Sequence, residues 1–192
     1  MATWAEFEHA APELASKGMA LLYQYGPPLG YLATVRPDGG PRIHPFCPTI
    51  AEGELWAFVL RHSPKGADLR HDPRFALHAF APKDVDDEFF VRGRAVPVDP
   101  ADDLKSAIIA AAMPATVGTD EEQLLALHID RALVAIYELA ANGHPHMSGG
   151  PPLTGEALGV SSPSRTDERE PQPVQEHYRA VGYPGDPPPS AH

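Results

Sequence analysis

Apolar residues recur at helical spacing over the first two dozen positions, with Trp4, Phe7, Ala11, Leu14, Ala15, Met19 and Leu22 on one face of a 3.6-residue period. Thr3 and Glu6 have the form of a capping box, so the pattern predicts an amphipathic opening helix. It must end before Gly26-Pro27-Pro28, because proline has no amide proton to give and disfavours helical geometry in the residue before it. The period then changes. Residues 30–36 (GYLATVR), 42–50 (RIHPFCPTI) and 54–60 (ELWAFVL) are rich in β-branched and aromatic side chains. Turn residues Pro37-Asp38-Gly39-Gly40 and Ala51-Glu52-Gly53 separate them, which predicts a hairpin extended into a three-strand meander. Pro45 and Pro48 cannot donate to a ladder, so the middle strand is expected to bulge or to leave those positions unpaired.

Ser63 before Pro64 reads as N-cap before first helical residue, predicting a short helix to His71 that stops at Asp72-Pro73. Residues 74–81 (RFALHAFA) and 89–98 (FFVRGRAVPV) predict two more strands, joined by the acidic connection 82–88. Residues 100–113 read as helix, Thr119 with Glu122 as the cap of another short one, and 131–139 (RALVAIYEL) as a closing strand. The expected order is α-βββ-α-ββ-αα-β. A mostly antiparallel sheet of about six strands with one inserted helix is suited to closing into a barrel, which removes its edges and leaves a groove for ligand. From residue 143 the composition changes: ten of the 23 prolines lie there with almost no apolar periodicity. The expected division is therefore a cofactor-binding domain over 1–142 and a proline-rich tail over 143–192, flexible or wrapped around a partner subunit.

Charge narrows the function. A net charge of −11 opposes binding to nucleic acid, although a few local cations suffice for a small anion. Cys47 is the single cysteine, so an intrachain disulfide and a cysteine-based zinc cluster are both excluded. The N-terminal stretch lacks the basic start and apolar run of an export signal, and no apolar stretch approaches the ~20 residues of a membrane span. A soluble, cytoplasmic protein is expected.

Two stretches carry the candidate chemistry. Arg42, His44 and Phe46 share one face of a strand by period-two alternation. Ser63-Pro64-Lys65 opens a helix, where unpaired amides and the positive end of the dipole favour an anion. Lys65 adds a full charge, and Arg42 adds a fork-shaped donor if the fold brings the two together.

Residues 55–80, with S-P-K-G-A-D-L-R-H-D-P between two strands, resemble the pyridoxamine 5′-phosphate oxidase-like proteins. The resemblance implies a six-stranded antiparallel split β-barrel of the FMN-binding type, in which Ser63 and Lys65 hold the flavin phosphate. The preceding G-G-P-R-I-H-P-F-C-P resembles the family's second strand and implies that Arg42, His44, Pro45, Phe46 and Cys47 line the phosphate and ring. Two departures shift the expected substrate. No tryptophan follows Trp56, where the true oxidases have a terminal segment gripping flavin and substrate, and Glu88 stands where they place a flavin-contacting glutamine.

The expected function is an FMN-dependent oxidoreductase acting by hydride transfer on a small molecule at a homodimer groove, with coenzyme F420 as alternative cofactor. The rivals are a non-catalytic flavin- or haem-binding protein and an interaction module that has lost its ligand. His44 is the one candidate for a proton donor, since imidazole exchanges protons near neutral pH, and packing is its competing role. No metal site is expected: His144-Pro145-His146 lies in a proline-rich stretch without a rigid frame, and the run Asp84, Asp86, Asp87, Glu88 reads as a solvated loop.

Overall fold

The computed structural model describes residues 1–84, 86–112, 118–139, 145–147 and 153–155. Met1–Gly159 is one compact unit, and residues 160–192 lie outside the described residues. The opening helix is two helices, α1 (Trp4–Ala10) and α2 (Pro12–Leu22). The Thr3–Glu6 capping box is formed in both directions, but Pro12 lacks the amide that would continue α1 and becomes the first residue of α2 instead.

The sheet strands are β1 (Gly30–Val35), β2 (Pro41–Phe46), β3 (Thr49–Ala51), β4 (Glu54–Leu60), β5 (Arg74–Ala79), β6 (Glu88–Val98) and β7 (Glu122–Ala135). Helix α3 (Pro64–His71) sits between β4 and β5, and α4 (Asp102–Ala111) between β6 and β7. The strands run in the antiparallel order β2-β1-β5-β6-β7-β4-β3, with β10 (Leu153–Gly155) added beside β7; β8 (Tyr137–Leu139) and β9 (Pro145–Met147) form a separate pair. This curled antiparallel sheet is the split-barrel class that the resemblance implied. The predicted boundary at 143 falls on residues outside the described set, and β9 and β10 lie just past it.

Two local expectations are corrected. The three-strand meander does not form: β2 ladders with β1, whereas β4 ladders with β3 and β7. Pro48 ends β2, and a two-residue turn with Glu52 at φ 51° and Gly53 at φ 75° folds β3 onto β4 at the far edge of the sheet. Pro45 is accommodated because β2 is an edge strand. No helix follows Thr119 either. Glu122 accepts from the Gly118 amide at 2.7 Å and the Thr119 amide at 3.1 Å, closing a turn from which β7 starts nine residues earlier than its predicted start. The helix-like run Leu124-Leu125-Ala126-Leu127 is a strand because both of its faces are covered. Leu125, Leu127 and Ile129 join the main core with Trp4, Phe7 and Phe89 under α1 and α2, while Leu124 and Ala126 pack with Trp56 and Ile108 of α4. In that core Gly18 is required by contact: a Cβ there would collide with the Phe89 ring. No helix of the described residues is long and apolar enough to cross a membrane.

Candidate functional site

β2 and α3, with 17 residues between them in sequence, meet on the inner side of β1. Arg42, His44 and Phe46 alternate along β2 as expected, and Phe46 is the buried one of the three. Lys65, in the first turn of α3, carries its Nζ 5.5 Å from the centroid of the Phe46 ring, within cation–π range. One helical turn on, Asp68 lies on the same side of α3 as Lys65 and is almost fully buried, its side chain 2% exposed. Its Oδ2 accepts from Arg42 Nε at 2.8 Å and from the Thr34 hydroxyl at 2.8 Å, Thr34 standing opposite Arg42 on β1.

Asp68 and Thr34 are the residues that sequence reasoning missed. The available signal was the i, i+3 spacing of Lys65 and Asp68 and a threonine facing inward on β1. Their consequence is orientation: the fork of Arg42 is held by its Nε, and among the described residues its two terminal nitrogens carry no hydrogen bond. With two cations and one anion the cluster has a net positive charge.

Ser63 and the helix end behave more modestly than the sequence suggests. The Ser63 hydroxyl donates to the Leu60 carbonyl at 2.8 Å and accepts from the Gly66 amide at 3.1 Å, so its proton is committed to the fold. Pro64 has no amide proton and Ala67 N–H returns to the Ser63 carbonyl at 3.0 Å. Of the first-turn donors, the Lys65 amide is left for a ligand.

His44 has its Nε2 buried and without a hydrogen-bond partner. Burial lowers its pKa, and Lys65 and then Arg42 lower it further, against a smaller opposing effect of Asp68. The ring is therefore a neutral imidazole at neutral pH, suited to one directed hydrogen bond rather than to donating a proton as an acid. Burial likewise pushes the Cys47 thiol up, against a smaller opposing effect of Lys65, which keeps it protonated and unreactive. Pro45 points to the opposite, exposed face of β2, away from this cluster. Glu88 opens β6 opposite Ala135. A separate cleft beside α4, lined by Phe58, Arg61, Lys105 and Glu122 among others, contains none of these residues. His144 and the side chain of His146 lie outside the described residues.

A phosphate dianion fits what β2 and α3 offer: the free end of the Arg42 fork, the Lys65 ammonium and amide, and the orphaned Nε2 of His44. The comparisons agree with this reading of the fold. The family profile described as pyridoxamine 5′-phosphate oxidase matches residues 20–136, and the chain belongs to that family. No curated protein matches in sequence. Among solved structures the chain is similar to a NimC/NimA-family protein of Clostridium acetobutylicum, at 16% identity and TM-score 0.56 over 77% of this chain and 94% of that one. It is also similar to a haem-binding protein of Mycobacterium smegmatis, at 22% identity and TM-score 0.53 over 72% of this chain. The chain spans 57% of that protein's length. A third similar structure is PhzG of Burkholderia lata 383, in complex with tetrahydrophenazine-1-carboxylic acid, at 13% identity and TM-score 0.51 over 72% of this chain and 92% of that one.

Proposed function

We propose that this chain is a cytoplasmic, homodimeric oxidoreductase that holds FMN by its phosphate between β2 and α3 and reduces or oxidises a small molecule by hydride transfer, with coenzyme F420 as alternative cofactor. The observation that carries the proposal is the convergence of Arg42, Lys65 and the unpaired His44 Nε2 from two separate stretches of the matched family segment. Bound flavin would supply the hydride chemistry. The chain's own residues would do the rest. Arg42, aimed by Asp68, and Lys65 would hold the phosphate bidentately and by charge, and Ser63 would fix the turn that presents the Lys65 amide. His44 would give a hydrogen bond to a ligand atom, and Phe46 would exclude water beneath it. Exposed Tyr31 and Ile43 on the outer face of β1 and β2 support a second copy packing there.

A second reading is a non-catalytic binder of flavin or haem. The same unpaired imidazole nitrogen and the likeness to a haem-binding protein favour it.

Absorbance of the purified protein separates the readings. A flavin spectrum bleached by NAD(P)H or by reduced F420 supports the enzyme. A flavin spectrum that no donor or substrate changes, or an intense haem band, supports the binder. Arg42→Ala with Lys65→Ala should abolish cofactor retention while leaving the fold intact by circular dichroism. Retention unchanged in that double variant would refute the site.

A further inference from the structure

The outer face of the sheet carries a second concentration of positive charge. Arg74 of β5 stands directly opposite Arg94 of β6, and Arg92 of β6 directly opposite Arg131 of β7. Residues directly opposite in an antiparallel pair share a face, and so do Arg92 and Arg94 at spacing two, so four guanidinium groups lie side by side on three adjacent strands. All four residues are exposed. A bulge assembles the group: the register passes from Gly93↔Ile129 to Arg92↔Arg131 and skips Asp130, which a regular ladder would set opposite Arg92. Gly93 makes the bulge possible, because a Cβ at that position would land on the His128 carbonyl oxygen.

Like charges directly opposite one another destabilise a sheet. Among the described residues one carboxylate reaches the group, Asp72, which grips Arg74 through both oxygens. Glu88 shares this face four residues along β6 from Arg92 without bonding to any of the four, and Glu54 is directed to His128 at 3.8 Å. Among the described residues, Arg92, Arg94 and Arg131 are therefore left with no carboxylate bonded to them, in a chain of net charge −11.

We infer that this arginine quartet is a docking surface for an acidic segment of another protein. The four arginines lie on the outer side of the curled sheet rather than in a cleft between elements, which disfavours a small molecule. The chain's net charge of −11 repels an extended polyanion such as nucleic acid or an anionic membrane more than a short acidic segment that contacts the four arginines alone. A twofold contact between copies centred on the quartet would set eight arginines against one another, so a second copy belongs at the apolar β1–β2 end instead. Carboxylates on the partner complete the charge balance and accept the forked donors bidentately.

The test is fluorescence anisotropy of a labelled octaglutamate peptide with the full chain at low and at high salt. Binding at low salt that weakens with salt is expected, weakened about tenfold or more in Arg92→Ser with Arg131→Ser. Arg92→Lys with Arg131→Lys should fall between, because charge is kept and the fork is lost. The control Lys17→Ser with Lys83→Ser, of equal charge change elsewhere on the surface, should bind like the wild type. Absence of binding at low salt overturns the inference, as does an equal loss in the control. A change of molecular mass by light scattering in the Arg92→Ser, Arg131→Ser variant also overturns it, since the face would then belong to the contact between copies.

Discussion

Two cationic clusters on opposite faces of one sheet are built differently. The inner one, Arg42 and Lys65, is tied down by a buried carboxylate, a threonine and an aromatic ring, and the outer quartet has a single half-buried carboxylate against four guanidinium groups. Fixed geometry suits one small, oriented anion, because ordering costs are met in folding rather than in binding. Long exposed arginines on an outer sheet face suit an extended partner that supplies its own carboxylates. The clusters therefore differ in what their removal does: dismantling the inner one costs stability and ligand together, while thinning the outer one costs binding alone.

Asp68→Ala is the strongest way to break the inner side of this contrast. It leaves the buried Thr34 hydroxyl and the half-buried Arg42 without their acceptor, and a loss of about 2–3 kcal/mol in denaturant unfolding is expected, the partial exposure of Arg42 softening the cost of a broken buried pair. Cofactor retention should fall with it. Asp68→Asn keeps an acceptor and should lose less. Equal stability of Asp68→Ala and the wild type would show that Arg42 is not positioned by this contact.

Gly93→Ala breaks the outer side at its origin. The new methyl group meets backbone on the neighbouring strand rather than a movable side chain, so a loss of about 1–3 kcal/mol is expected by thermal or denaturant unfolding. If the substitution is tolerated, the bulge does not hold the Arg92–Arg131 register.

How far these clusters were legible follows from the range over which each signal acts. The capping box at Thr3, the cap at Ser63 and the alternation that puts Arg42, His44 and Phe46 on one face are local, and the sequence displays them directly. That β2 and α3 meet came from resemblance, and Asp68 escaped because a buried carboxylate in a short polar helix looks like any solvated one. The strand at Leu124–Leu127 was misread because a run buried on both faces has neither period. The outer quartet was invisible for a similar reason: Arg74, Arg92, Arg94 and Arg131 come together through a ladder order and a one-residue bulge that no local pattern encodes.

His44 sharpens the contrast through pH. Burial and the neighbouring Lys65 and Arg42 disfavour its imidazolium in the fold, so its folded pKa lies below the ordinary value of 6.5. The unfolded chain then takes up the proton first. Stability is unaffected above that value and falls as pH drops through it toward the lower folded pKa. In His44→Gln the decline between about pH 7 and pH 5 should be shallower in thermal melts, by less than either substitution above costs. Inorganic phosphate should flatten the wild-type decline as well, because a bound anion favours the protonated ring. A slope unchanged in His44→Gln would mean that the ring is not held between those two cations.

Arg131→Thr is the smallest effect and the one whose sign separates the two clusters. Threonine keeps the β-branched shape that strands favour and removes one member of a directly opposed like-charge pair, so stability should rise by a few tenths of a kcal/mol, up to about 1. The inner cluster offers no counterpart, since taking away Arg42 exposes the carboxylate of Asp68 to burial without a cation. Thermal melts at low salt, where repulsion between exposed charges is least screened, give the largest rise, and the gain should shrink as salt is added. A fall in melting temperature at low salt would mean that Arg131 is already balanced within the chain, and the outer face would then need no acidic partner.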